Sequence, residues 1–138
     1  MAGATIAIVG QYAARRSDAR ERAITLLLEQ CAEVVALAED YRSRVWEERN
    51  NLSNDAVARR NISAYQLAEA RLKILCRAPS LVSALDALRK AGIALGKTWR
   101  LSRSEGPDVQ QAWEAHREAL NHFIMTSGAI VRPRTRNG

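Results

Sequence analysis

The sequence predicts an all-α fold: an antiparallel bundle of about four helices, with a long first helix and a short apolar N-terminal leader. Three observations carry that expectation. Alanine supplies 24 of the 138 residues and the aromatic types only seven, a composition that favours helix over sheet. Apolar residues recur at three- and four-residue steps along separate stretches, which is the period of one helix face. Between the stretches stand Asn50-Asn51-Leu52-Ser53-Asn54, Ala78-Pro79-Ser80 and Gly106-Pro107, residues that interrupt helices. A chain this long builds one domain with a modest core. Its expected divisions are a leader (1–16), the bundle (17–131) and a disordered basic tail (132–138).

The leader comes first. Residues 1–14 carry no charge, and Arg15 and Arg16 follow together. As a helix the uncharged run is about 21 Å long, short of the roughly 30 Å hydrocarbon core of a bilayer. Its cations follow the apolar run, the reverse of a secretory signal. Three readings stay open. The leader is a lead-in that packs on the bundle or on another subunit, a membrane anchor, or a disordered segment. The anchor is either interfacial or the second half of a span whose start codon lies upstream. For membrane or partner contact the candidates are Ile6, Ile8, Val9 and Tyr12, with Arg15 and Arg16 at the headgroups. The positive-inside rule then leaves the rest of the protein in the cytoplasm.

The first helix is expected from Ser17 to about Asn50. Ile24, Leu27, Leu28, Cys31, Val34, Val35, Ala38, Tyr41 and Val45 form its apolar stripe, and Glu29, Glu33, Glu39, Asp40, Glu47 and Glu48 its polar face. Asp18–Arg22 and Asp40–Arg44 are i,i+4 pairs of favourable orientation, worth about 0.2–0.5 kcal/mol each. Ser53 or Asn54 is the expected cap of a second helix from about Asp55 to Arg77, with Val57, Ile62, Tyr65, Ala68, Leu72 and Leu75 inward. Pro79 ends it. A third helix, Ser80 to about Arg103, turns Leu81, Leu85, Leu88, Leu95 and Trp99 inward. Gly92 and Gly96, four apart on it, mark close approach to a neighbouring helix. The fourth runs from about Asp108 to Gly128 through Val109, Trp113, His116, Leu120, Phe123 and Ile124.

Charge is spread unevenly within a net of +6. The first and fourth helices are acidic, the second and third basic. One reading is that these charges solvate the bundle and set helix pairing. The sharper one is a face for an anionic partner, made of Arg59, Arg60, Arg71, Lys73, Arg77, Arg89, Lys90, Lys97, Arg100 and Arg103.

Catalytic and cofactor chemistry find little support. His116, His122, Cys31 and Cys76 are zinc-ligand types, but no pair has a ligand spacing on one element. Trp113 and Ala119 stand where a di-iron bundle needs glutamates. Glu114 and Glu118, i,i+4 on the fourth helix, read as solvated carboxylates rather than an acid–base pair. No nucleophile elbow, phosphate loop or dinucleotide fingerprint occurs. The helices flanking Pro79 are too long for a helix-turn-helix. Trp46, Trp99 and Trp113 read as core or interface anchors. No metal, no cofactor and no enzymatic activity are expected.

The run Ile6-Ala7-Ile8-Val9-Gly10-Gln11-Tyr12-Ala13-Ala14-Arg15-Arg16, followed by Asp18-Ala19-Arg20-Glu21-Arg22, resembles the juxtamembrane start of small actinobacterial proteins. Those have a Gly/Ala-rich membrane segment, an Arg-rich exit and a cytoplasmic helical bundle. Trp113-Glu114-Ala115-His116-Arg117-Glu118-Ala119-Leu120-Asn121-His122-Phe123 is similar to their last helix. The 18 arginines against three lysines point to the same GC-rich origin. The resemblance implies a membrane location and no activity. The expected function is therefore a non-enzymatic interaction protein at the inner face of the cytoplasmic membrane. The alternatives are a soluble subunit or accessory factor of a larger assembly, of phage or mobile-element origin, whose leader contacts a protein partner or a second copy, and a nonspecific nucleic-acid binder using the basic helices.

Overall fold

The computed structural model describes residues 2–102 and 107–132. They form four α-helices: α1 (Ala2–Arg49), α2 (Ile62–Leu75), α3 (Pro79–Ser102) and α4 (Pro107–Val131). The all-α bundle read from the sequence is the fold that forms.

Each boundary has a local cause. After α1, Asn51 takes a left-handed conformation (φ 56°), which asparagine tolerates better than most side chains. Its amide then donates to the Glu48 carbonyl and that of Leu52 to Glu47, so two orphan carbonyls are satisfied in a Schellman closure. The second helix starts seven residues later than expected. Ser53 Oγ and Asp55 bond each other, and Arg44 Nη1 donates to the Ala56 carbonyl at 2.9 Å. These bonds, with Ala56 buried, hold residues 52–60 as turns folded back on α1. The cap is Asn61, whose side chain accepts from the Ala64 amide at 2.9 Å. Pro79 and Pro107 are the first residues of α3 and α4, where a missing N–H costs nothing. Neither Ser53 nor Asn54 caps a helix.

Two apolar clusters fix the topology. In one, Cys31, Val34 and Ala38 of α1 meet Ala68 and Leu72 of α2, Leu81, Ala84, Leu85 and Leu88 of α3, and Leu120 and Phe123 of α4. In the other, Tyr41 and Val45 meet Leu95, Trp99 and Val109. The first half of α3 thus lies on the second half of α4, and the reverse, so the two are antiparallel. By the same test α1 runs against α4. Each fully buried leucine contributes about 1.5–3 kcal/mol, and α3 supplies most of them. Its five expected inward residues are all buried.

Several expectations fail at the edges. Ile24 and Leu28 of the α1 stripe are exposed, as are Ile62, Leu75 and Ile124. For Ile24 the cause is length. Helix α1 has 48 residues and is about 72 Å long at 1.5 Å per residue, against 14 residues in α2 and 25 in α4. Residues 13–26 are exposed along their whole run, and burial begins at Leu27 and Cys31. Trp46 is no core anchor, being half exposed. Conversely Glu48, assigned to the polar face, is buried, and its carboxylate accepts from Trp99 Nε1 at 2.9 Å. Arg44 pairs with Asp40 at 2.7 Å, whereas Arg22 bonds the backbone carbonyl of Asp18.

The two α3 glycines part company. A Cβ on Gly96 would sit 2.6 Å from the Tyr41 hydroxyl, itself bonded to the Gly92 carbonyl at 3.2 Å. A Cβ on Gly92 would meet only the His116 ring, at 3.8 Å. Gly92→Ala is therefore expected to stabilise by about 0.5–1 kcal/mol through helix propensity. Gly96→Ala is expected to destabilise by about 1–2 kcal/mol, because the buried tyrosine must shift and lose its bond. Urea midpoints of the two variants check this; equal effects of one sign would contradict it.

Candidate functional site

Near the start of α2 the helices stand apart, and a cleft of about 290 Å³ opens between α1, α2 and α3 with His116 of α4 at its base. Each wall comes from a different element. Tyr41 reaches it from α1, Arg60 from the turn before α2, Tyr65 and Glu69 from α2, and Gly92 from α3. The Arg60 guanidinium lies over the Tyr41 ring, 4.2 Å from its centroid. Tyr41 in turn meets His116 edge-on, with centroids 5.9 Å apart. Leu37, Ala38, Ile62, Leu88 and Ile93 complete an apolar lining.

Behind His116 lies a buried cation. Arg42 is 6% exposed and has no carboxylate at ion-pair distance among the described residues. Its Nη1 donates to the Trp113 carbonyl at 2.7 Å and to His116 Nδ1 at 3.2 Å. The guanidinium also stacks on the Trp113 ring at 4.0 Å. A desolvated cation needs such partners, since its burial is otherwise costly. Burial pushes the Arg42 guanidinium below its ordinary range without bringing it near neutrality.

These contacts fix the state of His116. Burial first, then the positive charges of Arg42 and Arg60, push it down to about 4. The imidazole is neutral, and with Nδ1 accepting from Arg42 the hydrogen must sit on Nε2. The Cδ2–Nε2 edge lies toward Gly92 and the cleft. Tyr65, half-buried and beside Glu69, is pushed up to about 12 by desolvation, and burial raises Tyr41 as well. Both tyrosines are neutral hydroxyls.

The basic residues divide into paired and unpaired. Glu69 forms ion pairs with Lys73 of its own helix at 3.1 Å and with Arg89 of α3 at 3.6 Å, the latter joining α2 to α3. Arg89 and Lys90 also pair with Asp86, at 2.6 and 3.0 Å. Arg59 pairs with Asp55. Arg71, Arg77, Lys97 and Arg100 make no ion pair among the described residues, and Arg60 turns into the cleft. Arg103 lies outside the described residues. Arg15 and Arg16 are exposed on the projecting part of α1. The backbone of Ile6, Ile8, Val9 and Tyr12 is helical there, while their side chains lie outside the described residues.

Cys31 is buried and its thiol raised by that burial; Cys76 is half-buried, and His122 is exposed. No three His, Cys, Asp or Glu side chains converge among the described residues. Glu114 is exposed and accepts from Gln110 Nε2, and Glu118 is exposed too. Sequence reasoning missed the cleft. Tyr41 and His116 fell on apolar stripes and read as core, and nothing local ties Arg42 to a histidine 74 positions away.

A pH dependence follows. Free histidine titrates near 6.5 and buried His116 near 4, so between those values the unfolded chain binds a proton that the folded one does not. Stability therefore falls as pH drops through this window, by on the order of 3 kcal/mol. The groups facing the ring are Arg42, Arg60 and Tyr41, none of which titrates there. In urea unfolding the native chain is expected to lose more stability from pH 7 to pH 4 than His116→Gln does. Parallel losses in the two proteins would contradict the assignment.

No family model, curated protein or solved structure matches the chain.

Proposed function

We propose that this chain is a non-enzymatic interaction protein that docks on the inner face of the cytoplasmic membrane through the first half of α1. One observation carries the reading: a charge-free helical run, residues 2–14, leads without a break into residues 15–26 of α1, which are exposed. Isolated helices of about 12–15 residues are marginal in water, so a run of this composition needs an apolar surface beside it. At 3.6 residues per turn, positions 6, 8, 9 and 12 share one half of the helix circumference, and the smaller residues at 4, 7, 10 and 14 share the other. That distribution gives the larger apolar residues one face, which a lipid surface can cover. Among the described residues no helix is long and apolar enough to cross a membrane. Arg15 and Arg16 come next and suit anionic headgroups, at about 1 kcal/mol each.

A second reading has its own support. Ile24 and Leu28 are exposed on α1 beyond the two arginines, and they suit a subunit whose arm packs on a protein partner or a second copy. Flotation with phosphatidylglycerol-containing vesicles separates the two. The full chain is expected to float, a chain lacking residues 2–14 to stay behind, and the double variant Arg15→Gln/Arg16→Gln to bind about 30-fold more weakly. Flotation unaffected by the deletion, or none at all, contradicts membrane docking. Self-association that detergent leaves intact then favours the second reading.

A further inference from the structure

We propose that the cleft between α1, α2 and α3 binds a small organic carboxylate with an apolar body the size of a single ring. The inference is independent of the membrane reading, which concerns the other end of α1.

Two donors await an acceptor there. His116 is 2% exposed, its Nδ1 is taken by Arg42, and its Nε2–H has no hydrogen-bond partner among the described residues. The nitrogen is not sealed off, since it is not among the buried side-chain atoms left without a partner in the described residues. It lies on the edge of the ring turned to the cleft, where a ligand oxygen can reach it. The second donor is Arg60. Its guanidinium carbon lies 4.2 Å from the Tyr41 ring centroid, and none of its N–H groups meets a carboxylate or carbonyl among the described residues. A guanidinium placed in this way presents a fork that matches a carboxylate.

The sign of the ligand follows from the charges around it. The two carboxylates lining the cleft are already matched, Asp40 by Arg44 at 2.7 Å and Glu69 by Lys73 at 3.1 Å and Arg89 at 3.6 Å. Arg42 adds a positive charge behind His116 that has no carboxylate at ion-pair distance among the described residues. The cleft therefore favours an anion. Its size and lining set the rest. At about 290 Å³ it is at the small end of ligand sites, and Leu37, Ile62, Leu88 and Ile93 offer an apolar wall to the body of the ligand. A bare inorganic anion would leave that wall wet.

The full chain is titrated with benzoate, phenylacetate and isovalerate, followed by the His116 imidazole resonances and by the thermal midpoint. At least one acid is expected to shift the His116 signals saturably and to raise the midpoint. Its methyl ester, the same shape without the charge, is expected to bind at least tenfold more weakly. Arg60→Gln is expected to cost about tenfold or more in affinity for the acid, in line with a charge-assisted hydrogen bond. Three results each overturn the proposal: no saturable shift with any of the acids, equal binding of acid and ester, or tighter binding of inorganic phosphate than of the acids. The acid–ester comparison uses the unaltered chain, so it decides the matter even if Arg60→Gln fails to fold.

Discussion

The bundle is organised around one buried cation. Arg42 sits without a carboxylate between the two apolar clusters, where α1 crosses α4. A guanidinium in that position is tolerable only if carbonyl, ring and imidazole all face it. The Trp113 carbonyl, the Trp113 ring and His116 Nδ1 do so. That requirement propagates outward. It sets the register of α1 against α4, holds His116 in one tautomer and turns the other ring nitrogen toward the cleft. Tyr41, one residue earlier on α1, then reaches α3, and its hydroxyl fits only because Gly96 lacks a side chain.

The molecule divides into two regions with different logic. In the bundle proper several buried polar groups are matched internally, as Glu48 is with Trp99 and Glu69 with Lys73 and Arg89. Four of the ten residues read from sequence as a basic face, Arg59, Lys73, Arg89 and Lys90, are held in ion pairs. The arm of α1 has the opposite character: residues 13–26 are exposed, and Ile24 and Leu28 remain uncovered.

The fold was legible because its signals are local and repeated. Leu81, Leu85, Leu88, Leu95 and Trp99 follow the helix period and are all buried. The proline and asparagine breaks marked real chain reversals. The late start of α2 was hidden because Asp55 to Arg60 have helix-compatible residues. What keeps them in turns is a distant donor, Arg44, together with the burial of Ala56. Ile24 was misplaced for a related reason: periodicity shows which face of a helix is apolar, not whether a partner is long enough to cover it. The site was less legible still. His116 and Tyr41 occupy apolar positions, and Arg42 stands one step off the stripe, where a charge ordinarily reads as solvated. Their conjunction exists only once three helices have packed.

The measurement that bears most directly on this account is the tautomer of His116, read from its imidazole nitrogen shifts in the folded protein at pH 6. A neutral ring with hydrogen on Nε2 and a bare Nδ1 is the predicted result, because Arg42 occupies Nδ1 and burial excludes the imidazolium. A charged ring at that pH, or hydrogen on Nδ1, would contradict it, removing both the support of the buried cation and the donor assigned to the cleft.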